Sequence, residues 1–300
     1  MSGIKRESMT TSQPGADAVD PSAASGAQQA RPRILPHAAR AMRAVVAREL
    51  FKFARQYGRL ASAVVRPALW LIVFAAGMQN LFGVAPIEPY DTYIPYQEYI
   101  VPGLLGIVLL FNGMQSSLSL VYDTEVGTIR LLLTAPLPRW YLLLCKMIAG
   151  TLLSVVQCYA FLVVAWLVGI YIPPSGWLLV LPALIVAGFM LSAIGLLLTV
   201  RIRQLENFAG TMNFVVFPMF FLSSALYPLW RLRESGAEYL YWVSLFNPFT
   251  HAVELIRFSA YGKFNGTALA VVAGAAFLSF LLAALAYDPQ RGVTWRRTKP

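Results

Sequence analysis

The chain has 300 residues, 58% hydrophobic and only 13% charged; one soluble core cannot hide that much apolar surface, so the composition excludes an ordinary soluble protein and calls for lipid. The formal charge of +10 marks loops held on the cytoplasmic side of a membrane and gives no reason to expect a nucleic-acid partner. Cys145 and Cys158 are the only cysteines; within one helix they stand ~20 Å apart, too far to bridge, and with His37 and His251 the only histidines no metal site is expected.

Residues 1–36 are rich in Ser, Ala, Gly, Gln and Pro without an apolar run, which predicts a disordered cytoplasmic tail and no signal peptide. Beyond it, Met42, Val46, Leu50, Phe53, Tyr57 and Leu60 recur close to the helical period, while Arg48, Lys52, Arg55 and Arg59 take the opposite face. This pattern predicts an amphipathic helix over 38–58 that lies in the membrane interface, its cations toward water and anionic headgroups. A crossing needs ~20 apolar residues, and the charge-poor runs place six, at about 60–82, 99–122, 142–170, 177–200, 207–228 and 265–287. The uncharged stretch 147–200 is too long for one of them, and Pro173-Pro174-Ser175-Gly176 divides it.

With the amino terminus inside, every one of the 24 Lys and Arg residues except Arg231, Arg233, Arg257 and Lys263 falls on the inner side, Lys146 among them, and a basic tail at 291–300 ends the chain inside as well. The four exceptions lie in 229–262, where 241–260 is apolar enough to pass for a seventh crossing. Asn247-Pro248, His251, Glu254 and Arg257 would be costly in hydrocarbon, and a seventh crossing would carry the basic tail outside. A pair of short outer re-entrant helices is expected instead, with Glu254 and Arg257 paired one turn apart, as a neutral structural pair or as part of a gate.

No GxxxxGK[ST] loop occurs, since Gly262-Lys263 is followed by Phe264, and GxSxG and HExxH are absent; neither an ATPase site nor a common hydrolase site is expected. In the inner loop 123–140, Asp123 or Thr124 can cap a short helix that shows Leu131, Leu132 and Leu133 and stops at Pro136 and Pro138. Such a face either seeks a partner or docks on the membrane. Within the crossings, Asn112, Gln115, Ser116 and Ser119 share one helical face, and Asn207 and Thr211 stand one turn apart ahead of Phe214. Both patterns serve interhelical hydrogen bonds or the lining of a substrate path.

The run Glu125-x-Gly127-Thr128, with the leucines, Pro136 and Arg139 that follow, resembles the coupling-helix region of type-2 ABC (ABC-2) export permeases, the family of drug, nodulation-factor and polysaccharide exporters. Val101-Pro102-Gly103-Leu104-Leu105, the run Leu222 to Pro228, and Asn247-Pro248-Phe249-Thr250-His251 on to Arg257 resemble the same family at matching places, the last most specifically. Together these motifs cover about 40–290.

The resemblance implies an all-α membrane protein that works as a homodimer, bound to two copies of a cytoplasmic ABC ATPase subunit. ATP and Mg would sit on that partner, leaving this chain no cofactor and no enzymatic activity of its own. Contacts to the ATPase would come from Arg48, Lys52 and Arg55 on the interface helix and from Asp123, Glu125, Gly127, Thr128, Arg130, Leu131 and Leu132 in the loop. The second and fifth crossings would lie at the dimer centre, which favours a path lined by Asn112, Gln115, Ser116, Ser119, Asn207, Thr211 and Phe214. Asn247, Pro248, His251, Glu254 and Arg257 would form the outer re-entrant region. The expected activity is export of an amphipathic small molecule, drug, lipid-linked or saccharide substrate across the bacterial inner membrane. Two rival readings are an intramembrane transferase that uses His251 with Glu254, and a passive channel or scaffold.

Overall fold

The computed structural model describes residues 34–55, 58, 65, 67–73, 77, 83–84, 88–125, 138–202 and 205–287. Most of both predicted tails, most of the first predicted crossing, and Gly127, Thr128, Arg130, Leu131 and Leu132 of the predicted coupling loop lie outside the described residues, as do the side chains of Lys52 and Glu125.

Helix α1 runs Ile34–Ala54, four residues ahead of the predicted 38–58. Pro36 falls in its first turn, where a missing N–H forfeits no intrahelical bond, so the proline is tolerated inside the helix. Strands β1 (Gly83–Val84) and β2 (Ile94–Pro95) pair antiparallel, a small departure from the all-helical expectation that ties down the loop ahead of α2. Four long helices follow the hydropathy runs: α2 (Tyr96–Glu125), α3 (Arg139–Leu167), α4 (Pro174–Arg201) and, last in the chain, α9 (Gly266–Ala286). At 1.5 Å per residue each reaches about 30 Å or more, the thickness of a hydrocarbon core, and these four are the described helices long and apolar enough to cross a membrane.

The helix inside the predicted crossing at 207–228 is shorter than that range. Helix α5 spans Leu205–Phe221, 17 residues and ~25 Å, and the chain then folds back through 222–227. It stops there because side chains from elsewhere take over its last carbonyls, as described below. The region 229–262 holds three short helices where two were expected: α6 (Leu229–Glu234), α7 (Glu238–Phe246) and α8 (Pro248–Ala260). Asn247-Pro248 breaks the apolar stretch 241–260, and α8 with 13 residues covers only ~20 Å.

Helix α4 is the hub of the bundle and packs against α2, α3, α5, α8 and α9. Close approach rests on small residues, since a Cβ added at Gly113 would meet Leu191 C at 3.0 Å and one at Gly188 would meet Thr151 Cγ2 at 3.0 Å; such small-residue contacts are the usual glue between helices in lipid. At the periphery, α9 leaves Phe277, Leu282 and Leu285 exposed. This outward apolar surface suits acyl chains.

Candidate functional site

A cavity of about 500 Å³ opens between α2, α5 and residues 67–70, walled by Trp70, Phe111, Asn112, Gln115, Asn213 and Phe217 among others. Its lining among the described residues carries no ionised side chain; its polar groups are three carboxamides set among aromatic rings. Trp70 meets Phe220 edge-on at 5.3 Å and closes one end. Asn112 donates its amide to Gln157 Oε1 of α3, which fixes the carboxamide's orientation.

The predicted path residues divide. Asn112 and Gln115 line the cavity; Ser116 and Ser119 do not, and their hydroxyls donate to Gly113 O and Ser116 O, each at 2.8 Å. Gln115 and Ser116 diverge by about 100° around the helix, and Ser119 lies ~10 Å along the axis from Asn112, beside Lys146 of α3. On α5, Thr211 donates to Asn207 O at 2.9 Å, and Phe214 is 81% exposed; none of these three walls the cavity. Asn213, Phe217 and Phe220 do so instead. Their i, i+4, i+7 spacing was the signal available in the sequence.

A second cluster clamps the fold-back after α5. Asn247 Nδ2 donates to Met219 O at 2.7 Å and to Leu222 O at 2.6 Å, while its Oδ1 accepts from Phe249 N at 3.0 Å. One carboxamide therefore caps the end of α5 and the start of α8. Arg257 Nη2 donates to Ser224 O at 2.8 Å, joined there by Tyr99 Oη at 3.1 Å, and Tyr96 Oη donates to Leu226 O at 2.7 Å. Gly103 is required where α2 crosses this turn, because any Cβ there would overlap the Ala225 carbonyl. Arg257 is buried, pairs with Glu254, and holds its guanidinium 4.1 Å from the Tyr99 ring centroid, a cation–π contact in desolvated surroundings. Ahead of α2, burial pushes the Tyr90 hydroxyl above its ordinary value, so it remains a neutral group beside this cation. His251 Nε2 contacts Leu245 O at 2.9 Å. The His251–Glu254 pair needed by a transferase is therefore not formed, since each group is engaged elsewhere.

The third cluster joins α1, α2 and α3. Lys146 Nζ pairs with Asp123 Oδ2, and Arg48 approaches the same oxygen at 3.6 Å. Asp123 is thus turned into the bundle, and Arg55 is exposed at the end of α1. Sequence reading had no signal for Lys146 beyond its charge.

Comparison with known proteins adds the family. The model of the ABC-2 type transporter family matches residues 40–261, a span that holds all three clusters. The putative transport permease ycf38 of Cyanophora paradoxa is 29% identical over 222 residues, 71% of this chain and 72% of the relative. Its counterpart in Porphyra purpurea is 28% identical over 227 residues, 72% of each. The probable multidrug ABC transporter permease YbhR of Escherichia coli (strain K12) is 27% identical over 174 residues, 56% of this chain and 45% of that relative. With several apolar helices of crossing length and a family match over most of its length, this multi-pass membrane chain belongs to the ABC-2 type transporter family.

Proposed function

We propose that this chain is the membrane-spanning subunit of an ATP-driven exporter whose nucleotide-binding subunits are separate polypeptides. Two such ATPases, carrying ATP and Mg, engage a homodimer of permeases from the cytoplasm through α1 and the 123–140 loop. The chain crosses a bacterial inner membrane six times with both ends inside, α5 and the fold-back behind it together making the fifth crossing. The observation that carries this reading is the cavity between α2 and α5. It is large enough for a small molecule, flanked by apolar rings, and its hydrogen-bonding groups among the described residues are uncharged.

That lining supports one cargo class over others. Among the described residues a fixed charge would find surroundings of low polarity and no counter-ion, whereas an uncharged amphiphile can lay a flat face on Phe111 or Phe217 and bond its polar groups to Gln115 and Asn213. Reconstituted with its ATPase, the exporter is expected to move uncharged aromatic amphiphiles in preference to permanently cationic analogues. The double substitution Gln115→Leu with Asn213→Leu should lower that transport about thirtyfold, at ~1 kcal/mol for each of the two hydrogen bonds removed. Two results would overturn the reading: nucleotide turnover by this chain purified alone in nanodiscs, or labelling of 126–137 from the periplasmic side.

A further inference from the structure

Three helices meet at one buried ion pair. Asp123 stands two residues before the end of α2, directly ahead of the 126–137 stretch, and Lys146 lies in the first turns of α3. Their side chains are 6% and 9% exposed. Separating two such charges leaves the Lys146 ammonium desolvated without this carboxylate and the buried Asp123 with the half-solvated Arg48 alone, so the C-terminal end of α2 and the start of α3 are held as one rigid unit. Arg48 of α1 differs in kind. Its side chain is 47% exposed and stands 3.6 Å from Asp123 Oδ2 and 3.4 Å from Glu49 Oε1. A half-solvated guanidinium with two carboxylates in reach leaves either at small cost. The geometry is a fixed pair with a detachable third charge.

We propose that Lys146 is a positioning residue for energy coupling: it holds the Asp123 carboxylate where Arg48 can dock and release, so that a displacement of α1 is passed to α2. This inference rests on the exporter reading above. Asp123 then acts within the chain and makes no contact of its own with the ATPase. Asn112 lies ~16 Å along the same helix, so a shift at Asp123 reaches the cavity wall through a rigid element that α1 biases, the physical requirement for coupling two sites.

The test uses the permease–ATPase complex and a maleimide probe, with Asn213→Cys as the reporter in the cavity; Cys145 and Cys158 are buried and leave a low background. In the otherwise unmodified complex, trapping with ATP and vanadate is expected to change the labelling rate about tenfold, within the ordinary range for coupled sites. Lys146→Met should abolish that change while the complex still co-purifies. Arg48→Gln, which leaves the buried pair intact, should reduce it about fivefold. The exchange Asp123→Lys with Lys146→Asp restores a buried pair but turns an ammonium toward Arg48, so it should assemble like the parent and still lack the response.

The inference is overturned if Arg48→Gln keeps the full response, if assembled Lys146→Met complexes keep it, or if the exchange recovers it. Should Lys146→Met fail to assemble, Arg48→Gln and the exchange decide alone. If trapping leaves the unmodified complex unchanged, the exporter reading itself fails and this inference with it.

Discussion

Asn247→Ala is expected to destabilise the purified protein by roughly 4 kcal/mol, seen as a lowered unfolding temperature in detergent and a loss of monodisperse material. Three hydrogen bonds vanish together: those to Met219 O and Leu222 O and the cap on Phe249 N. The two carbonyls are left in apolar surroundings without donors at ~1–3 kcal/mol each, and loss of the cap adds ~1 kcal/mol. Asn247→Ser separates the two roles. Its hydroxyl can still accept from Phe249 N but is too short to serve α5, so it should recover only the capping share, ~1 kcal/mol. If the alanine variant unfolds at the parent temperature, the carbonyls at the end of α5 are satisfied by something other than Asn247, and the account of why this helix stops at Phe221 is wrong.

That stop also shows where sequence reading runs out. Long helices were legible because their ends coincide with changes in composition: α4 begins at Pro173-Pro174 and ends at Arg201. The end of α5 has no such mark. Leu222 to Leu226 is as apolar and small as many helical segments, and the donors that turn the chain there lie 25 residues or more away, in Asn247 and Arg257. The break at Asn247-Pro248 was legible for the opposite reason, since a proline after a capping residue is a local signal.

The candidate site divides along the same line. Asn112 and Gln115 followed from helical spacing on a single element, whereas their separation from Ser116 depends on which neighbour α2 meets, a property of packing. Asn213 was overlooked because the polar pair Asn207 and Thr211 drew the eye one face away. Lys146 was counted only as an inner cation. Nothing local announces that it finds a carboxylate 23 residues earlier.

Glu254→Gln is expected to be more damaging than Arg257→Met, although Glu254 is the less buried partner. The two side chains are 23% and 3% exposed. When the carboxylate is removed, the guanidinium cannot shed its proton and is left as a buried cation beside neutral groups, the Tyr99 ring, the Tyr90 hydroxyl and Ser224 O, an uncompensated charge that costs ~3–5 kcal/mol. When the arginine is removed, Glu254 can turn to solvent, Tyr99 still donates to Ser224 O, and the thioether fills much of the vacated space. The penalty should then stay near ~2 kcal/mol, one charged hydrogen bond. The double variant therefore belongs close to Arg257→Met and well above Glu254→Gln in stability, a non-additive cycle that thermal unfolding in detergent resolves. Additive penalties would mean that the two groups do not share one desolvated environment. A Glu254→Gln protein as stable as the parent would mean that Arg257 is neutralised by another group, and the pairing that holds α8 against the fold-back after α5 would have to be reassigned.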